Sequence, residues 1–316
     1  METRKLGYTE LKLTRIGLGT WAHGGGNWKF SWGPQDDQSS IKAIHKGLDS
    51  GVNWIDTAPV YGLGHAETVT GKAIKGMAHK PYIATKCSRV WDDKGNITSN
   101  LSKDNIKKEC EASLKRIQID AIDLYQIHWP QPEEKLPEAW GAINELIQEG
   151  KIRYGGVSNF NMDQIRRIEP LHPVASLQPP YSMLKRDIEK GLLQFCRNEG
   201  IGVVVYSPLQ KGLLTGKMTP ERIKELPPDD HRKLDVFFQE PLLERILEKV
   251  SQLTRFALER EKTMAQLAIA WVLRRPEVTS AIVGARTPEQ ISEILPGASW
   301  GLSQDEVLYI DNILEN

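Results

Sequence analysis

Four side chains able to hold or move a proton stand where short apolar runs give way to loops. Asp56 and Tyr61 share "WIDTAPVYG" (54–62), Lys86 closes "YIATK" (82–86), and His128 sits in "IDLYQIHW" (122–129). An acid, a phenol, an ammonium and an imidazole in one pocket could protonate a carbonyl oxygen. A free phenol has a pKa near 10, too high for efficient donation at neutral pH. Each unit of lowering needs about 1.4 kcal/mol, which a cation about 4 Å away at intermediate dielectric can supply. Burial alone would deprotonate Lys86, and Asp56 can hold it charged. On this reading Asp56 holds Lys86, Lys86 lowers the pKa of Tyr61, Tyr61 donates the proton, and His128 orients the oxygen. Singly, each has an ordinary explanation: a turn aspartate, a solvated lysine, a packed tyrosine, a satisfied histidine beside Trp129. Together, at successive strand ends, they favour chemistry. None of the four can supply hydride, so the set lacks a reductant.

Such convergence needs a scaffold that brings strand ends to one place. Eight strand-like runs are legible: 15–22, 52–58, 82–86, 122–129, 152–159, 174–180, 202–209 and 280–285. Amphipathic segments lie between many of them. In "DDQSSIKAIHKGLDSG", Ile41, Ile44 and Leu48 recur at helical spacing and Gly51 offers a stop. Ser102 and Asn161 read as N-caps, Gly150 and Gly200 as C-caps. Strand–helix alternation argues for parallel pairing with helices outside. Eight such units in about 250 residues or more make an α/β fold of the (β/α)₈ barrel type, whose strand ends converge on one mouth. A doubly wound sheet usually announces itself with GxGxxG after the first strand, a spacing that "GLGTWAHGGG" does not match.

Two pieces lie outside the repeat. "TRKLGYTELKLT" reads as a hairpin before the first strand, placed to plug the barrel bottom. A long insertion, about 210–262, begins with "QKGLLTGK" and ends in a helical run, and connections of this length are usually functional loops or appended helices. The tail "SQDEVLYIDNILEN" reads as a last surface helix. No boundary divides the chain, so 1–316 is expected to form one domain.

Composition narrows the function classes. Forty-one basic and 41 acidic side chains cancel, leaving no global field for nucleic acid or an anionic membrane. No apolar run approaches the roughly 20 residues of a membrane span, and "METRKLGYTE" is too polar for a secretory signal. Cys87, Cys110 and Cys196 are widely spaced and read as reduced thiols of a cytoplasmic protein. The seven histidines form no HExxH or His-x-His pair, so no metal site is expected.

"GLGTWA", "WIDTAPVYG", "ATK", "DLYQIHWP", "GKIRYGGVSNF", "LQPPYS", "YSPLQKGLLTGK" and "AIVGARTPEQ" follow one another along nearly the whole chain. In this the sequence resembles the aldo-keto reductases, in the bacterial branch with inositol-operon and general-stress reductases. The resemblance implies a TIM barrel with long loops that binds NADP(H) without a Rossmann fold. It makes Asp56, Tyr61, Lys86 and His128 the catalytic tetrad, with Asp56 also beside the cofactor. It also puts Thr20 and Trp21 by the nicotinamide, Ser158, Asn159 and Gln178 on the carboxamide, and Tyr206 against the ring. Ser207, Pro208, Leu209, Gln210, Lys211 and Gly212, with Lys217, match the loop over the pyrophosphate. Gly284, Ala285, Arg286 and Gln290 match the 2′-phosphate site, with Gly-Ala-Arg replacing the Lys-Ser-containing clamp of better-known reductases. Arg232 resembles an arginine that reaches the cofactor phosphates from the long loop.

The implied activity is hydride transfer to an aldehyde or ketone with Tyr61 protonating the oxygen, in a monomer whose partner is a small carbonyl compound. Trp28, Trp32, Trp91 and Trp129 are candidates to line an apolar substrate pocket. Two other readings remain at this stage. One is an NADPH-binding redox sensor resembling potassium-channel β-subunits. The other is a Schiff-base aldolase using Lys86, which needs a depressed lysine pKa that Asp56 opposes.

Overall fold

Strands buried on both faces need helices on one side and a filled interior on the other. The structure, a computed structural model that describes residues 1–315, has that arrangement. Its strands are β1 (Thr3–Lys5), β2 (Lys12–Thr14), β3 (Ile16–Gly19), β4 (Trp54–Asp56), β5 (Tyr82–Cys87), β6 (Arg89–Trp91), β7 (Ile97–Ser99), β8 (Ile122–Ile127), β9 (Ile152–Ser158), β10 (Ser176–Gln178), β11 (Gly202–Val205) and β12 (Val278–Gly284). In the order β10-β11-β12-β3-β4-β5-β8-β9 they close into a barrel, every pair parallel. The (β/α)₈ expectation holds, and closure of the sheet excludes the doubly wound alternative.

Alternation along the strands explains how the barrel can be greasy below and polar above. Residues two apart share a face. Trp54, Ala84, Leu124, Val204 and Ile282 pack in one interior cluster with Leu6, Leu11 and Leu13. The last three come from the β1–β2 hairpin and its turn, which seals the bottom as expected. Gly17 leaves room for the Trp54 ring: a Cβ there would lie 2.1 Å from Trp54 Cε2. Two residues further along the same faces stand Asp56, Lys86, Gln126 and Tyr206. One apolar layer is thus followed by one layer of polar groups at the mouth.

Most strands are shorter than the sequence runs, although β5 and β12 are each one residue longer. The run at 202–209 stops at Val205, because Ser207 adopts φ 55° and Pro208 has no N–H to donate. Asn161 forms a capping box with Gln164, while Ser102 sits at its N-cap without a side-chain bond. Gly150 and Gly200 take left-handed φ of 72° and 68°, as their cap roles require. Two elements had no clear sequence signal. The helix His65–Ile74 contains Thr68, Val69 and Thr70, poor helix formers that are tolerated because its Ala66, Val69 and Ala73 face is buried. The antiparallel pair β6–β7 grows out of β5 at Ser88, whose φ is 81°. The long insertion resolves into short turns, the helix Pro220–Lys224 and the helix Leu242–Leu258. The tail helix spans Gln304–Glu315, and Asn316 lies outside the described residues. Cys87, Cys110 and Cys196 are buried free thiols. Among the described residues no helix is long and apolar enough to cross a membrane.

Candidate active site

Asp56 is the last residue of β4 and Lys86 the next-to-last of β5, both pointing into the polar layer. Lys86 Nζ donates to Asp56 Oδ1 at 2.6 Å, to the Thr57 carbonyl at 2.8 Å and to the Tyr61 hydroxyl at 3.4 Å. Those three bonds use every hydrogen an ammonium has. The two charged side chains are 0% and 4% exposed. Burial pulls the Lys86 pKa below its usual value while the Asp56 carboxylate pushes back. The second carboxylate oxygen of Asp56 accepts from Gln178 Nε2 at 2.8 Å and from Gln126 Nε2 at 3.4 Å. Gln126 is fully buried and was missed from the sequence. It was findable, since it shares a strand face with Leu124 and lies two residues before His128.

Tyr61 is brought over this pair by a contact between two loops. A Cβ on Gly62, whose φ is 62°, would lie 2.1 Å from the Gly24 carbonyl oxygen, so only glycine permits the approach. The contact lays Trp21 along Tyr61, with ring centroids 5.9 Å apart and 15° between planes. One electrostatic expectation is overturned here. The phenol is not lowered by Lys86: burial and the Asp56 charge push it well above 10. The ammonium is shared with Asp56 at 2.6 Å, and it does not offset the effect of burial and of the Asp56 charge on the phenol.

His128 follows β8, its N–H bonded to the Cys87 carbonyl at 3.1 Å and its ring edge-on to Tyr61 at 5.9 Å. Burial, Lys86 and Arg89 push its pKa well below 6.5, so the imidazole is neutral. Its Nδ1 is buried without a partner among the described residues. Asn159, at φ 63°, donates from Nδ2 to the His128 carbonyl at 3.0 Å and to Ser158 Oγ at 3.1 Å. Ser158 Oγ donates to the Gln178 carbonyl at 2.9 Å, and the Tyr206 hydroxyl donates to Asn159 Oδ1 at 2.8 Å. A single hydrogen-bonded floor therefore runs from Lys86 to Tyr206.

Above that floor lies a cleft of about 810 Å³ that reaches from Trp28 and Trp129 past Tyr61 and Tyr206 to Arg286 and Gln290. A sequence profile of the aldo/keto reductase family matches residues 15–315. The chain belongs to that family. It is 39% identical to the aldo-keto reductase YhdN of Bacillus subtilis, over all of this chain and 94% of that one. It is 36% identical to the NADH-specific methylglyoxal reductase of Escherichia coli, over all of this chain and 99% of that one. Among solved structures, the glycerol dehydrogenase AKR11B4 of Gluconobacter oxydans superposes with a TM-score of 0.89 at 38% identity, over 99% of this chain and 95% of that one. Membership makes this chain an oxidoreductase of the carbonyl–alcohol couple that uses a nicotinamide cofactor.

Of the cofactor residues expected in this aldo-keto reductase, Thr20, Trp21, Asp56, Ser158, Asn159, Gln178, Tyr206, Ser207, Pro208, Leu209, Gln210, Lys211, Gly212, Lys217, Arg232, Gly284, Arg286 and Gln290 line the cleft. Ala285 does not. It is buried, and its carbonyl bonds the His23 ring at 2.8 Å. Ser207, Gln210, Lys211 and Gly212 all have positive φ, a tight backbone turn of the kind held in place at functional sites. The cations are less free than their sequence suggests. Lys211 pairs with Asp235, Lys217 with Glu293, and Arg232 bonds Asp230 while lying 4.7 Å from the Trp32 ring. His231, beside Arg232, stacks on Trp21 with centroids 4.7 Å apart, so the long loop clasps the loop after β3. Trp28, Trp32 and Trp129 line the cleft, and Trp91 does not.

On the helix Lys103–Ile117, Glu109 Oε2 accepts from the Ser88 backbone at 2.8 Å and from Asn105 Nδ2 at 2.7 Å. Burial raises its pKa to about 7. A carboxyl raised in the fold contributes stability below its ordinary pKa and loses it as pH rises through about 7. Glu109→Gln keeps an acceptor for Ser88 and removes the titration. Between pH 5 and pH 8 the wild type should lose about 3 kcal/mol relative to this variant in denaturant titrations.

Proposed function

We propose that this reductase converts aldehydes and ketones to alcohols with NADPH, and that Tyr61 gives the proton. The observation that carries this is the 3.4 Å contact of the Tyr61 hydroxyl with Lys86 Nζ, at the floor of a cleft large enough for a dinucleotide. The residues present fit such a cofactor. Gln178 turns both Nε2 bonds inward, to Asp56 and Gln126, and keeps its carbonyl for an amide ligand. Gly212, at φ 100°, leaves the turn without a side chain. Arg286 bonds Gln35 and the carbonyls of Trp32 and Pro34, which leaves about two of its five N–H groups for a phosphate. Ser158, Asn159 and Gln178 would hold the carboxamide, Tyr206 the ring, and Arg286 with Gln290 the 2′-phosphate.

Bound there, the cofactor supplies the hydride. Tyr61, protonated through neutral pH, donates its phenolic proton to the substrate oxygen. The product leaves as an alcohol, and the phenolate left on Tyr61 is balanced by Lys86. Neutral His128 donates an N–H to the same oxygen and sets its direction. Asp56 keeps Lys86 charged and in place. In reverse, the phenolate takes the proton of an alcohol. The Schiff-base reading is disfavoured, because Lys86 has no exposed surface and all three of its hydrogens are engaged. We further place the protein in the cytoplasm as a monomer.

The test is the oxidation of NADPH and of NADH with a panel of aromatic and aliphatic aldehydes. Turnover with NADPH at the lower KM supports the reading. Equal use of both cofactors would remove the NADPH preference. Tight binding with no turnover on any carbonyl would favour the redox sensor. Arg286→Ala should raise the KM for NADPH by roughly 10- to 100-fold, the loss of a charge-assisted phosphate contact, with a much smaller change for NADH.

A further inference from the structure

Arg89 opens β6, three residues after Lys86, and its half-buried side chain lines the cleft. Its guanidinium lies 5.6 Å from the Trp129 ring, next to His128, and Nη1 donates to Ser99 Oγ at 2.8 Å. No carboxylate pairs with it among the described residues. Of the other cleft cations, Lys185 pairs with Asp187, Lys211 with Asp235, Lys217 with Glu293 and Arg232 with Asp230; Lys29 and Arg222 lack a carboxylate but are exposed, and Arg286 is held by Gln35 and the carbonyls of Trp32 and Pro34. A guanidinium half removed from water and left without a counter-ion is held at a cost that an incoming anion would relieve. Its planar fork matches a carboxylate through two parallel bonds. The apolar walls of this part of the cleft are Trp28, Val60 and Ile97, which pack with Tyr61, and Trp129, which lies against Arg89.

We propose that Arg89 is a specificity-determining residue that binds a carboxylate carried by the substrate, so that the preferred carbonyl compounds are aldehydes or ketones bearing an anionic end. This rests on the carbonyl-reducing reading above. Tyr61 and His128 would take the carbonyl oxygen while Arg89 takes the acid, with an apolar spacer along the tryptophans.

The probes are 4-carboxybenzaldehyde and its methyl ester, which differ in the charge at one end. The wild type should favour the acid in kcat/KM by roughly 10- to 100-fold, the scale of a charge-assisted pair. Arg89→Met should erase that ratio, mostly through KM, and Arg89→Lys should keep part of it because the charge remains. A ratio untouched in Arg89→Met, or equal losses for acid and ester, would overturn the proposal and leave Arg89 as packing for Trp129. Quenching of tryptophan fluorescence by the two probes separates this from the reductase reading. If the ester is reduced but the acid is not preferred, only the carboxylate site falls. Arg89-dependent binding of the acid with no turnover of either probe supports the carboxylate site and removes the reductase. If neither is turned over and the acid shows no Arg89-dependent binding, both fall.

Discussion

Tyr61→Phe is expected to lower kcat/KM for aldehyde reduction by roughly 100- to 10,000-fold, the range of a lost general acid. The variant loses one oxygen and little else. Its ring keeps the stacked position on Trp21, and Lys86 keeps its two shorter bonds, at 2.6 and 2.8 Å. Stability should therefore change by less than about 1 kcal/mol, the net value of one ordinary hydrogen bond. Fluorescence titration should give the same affinity for NADPH, so the loss will sit in the chemical step. The pH profile supplies a second readout. Because burial and Asp56 push the phenol well above 10, reduction by the wild type should stay flat from about pH 6 to about pH 9. Oxidation of an alcohol needs the phenolate and should rise with pH throughout that window. A bell centred near neutrality for reduction would mean that another group is the acid. Equal turnover by the wild type and Tyr61→Phe would remove Tyr61 from the mechanism altogether.

Much of this was legible in the sequence because each signal was local. Short strand-like runs with Asp56, Lys86 and His128 at their ends gave the strands, and eight repeats gave the closed sheet. What was not legible depends on distant partners. That Asp235 would occupy Lys211, and Glu293 Lys217, follows from the folding of the insertion, which leaves no periodic trace. The strand β6 and its Arg89 were invisible for a related reason: a three-residue strand carries too little alternation to stand out. Ala285 was assigned to the cleft with its neighbours. One residue of rotation along β12 and its loop turns it inward, where His23 takes its carbonyl.

The direction of the Tyr61 shift was wrong for an instructive reason. From the sequence, a lysine near a tyrosine is a free positive charge. In the fold, a carboxylate 2.6 Å away shares that charge, and burial acts on the phenol unopposed. Lys86 remains the cation in contact with the phenolate that the reaction leaves, but in the resting protein burial and the Asp56 charge outweigh it. The high pKa keeps the proton on the phenol until a substrate oxygen, with hydride arriving at its carbon, becomes basic enough to take it.

The Asp56–Lys86 pair should show the second large effect, on stability as well as rate. Lys86→Met leaves the Asp56 carboxylate buried with only the amides of Gln178 and Gln126, and Asp56→Asn leaves a buried ammonium with a carbonyl and a phenol. Each single change should cost about 3–5 kcal/mol, the scale for removing one partner of a buried ion pair. The double variant Asp56→Asn/Lys86→Met carries no buried charge, so it should lose less than the sum of the two, by at least about 1 kcal/mol of coupling. Denaturant midpoints of the four proteins measure this directly. Rates should behave differently. Lys86→Met and the double variant should reduce aldehydes at least roughly 100-fold more slowly, since neither has an ammonium to balance the phenolate. Recovery of stability without recovery of rate is the signature of a pair kept for its charge at the reacting phenol. Additive stability losses would mean that Lys86 and Asp56 are held separately by their other partners. Recovery of rate in the double variant would show that the phenolate needs no ammonium.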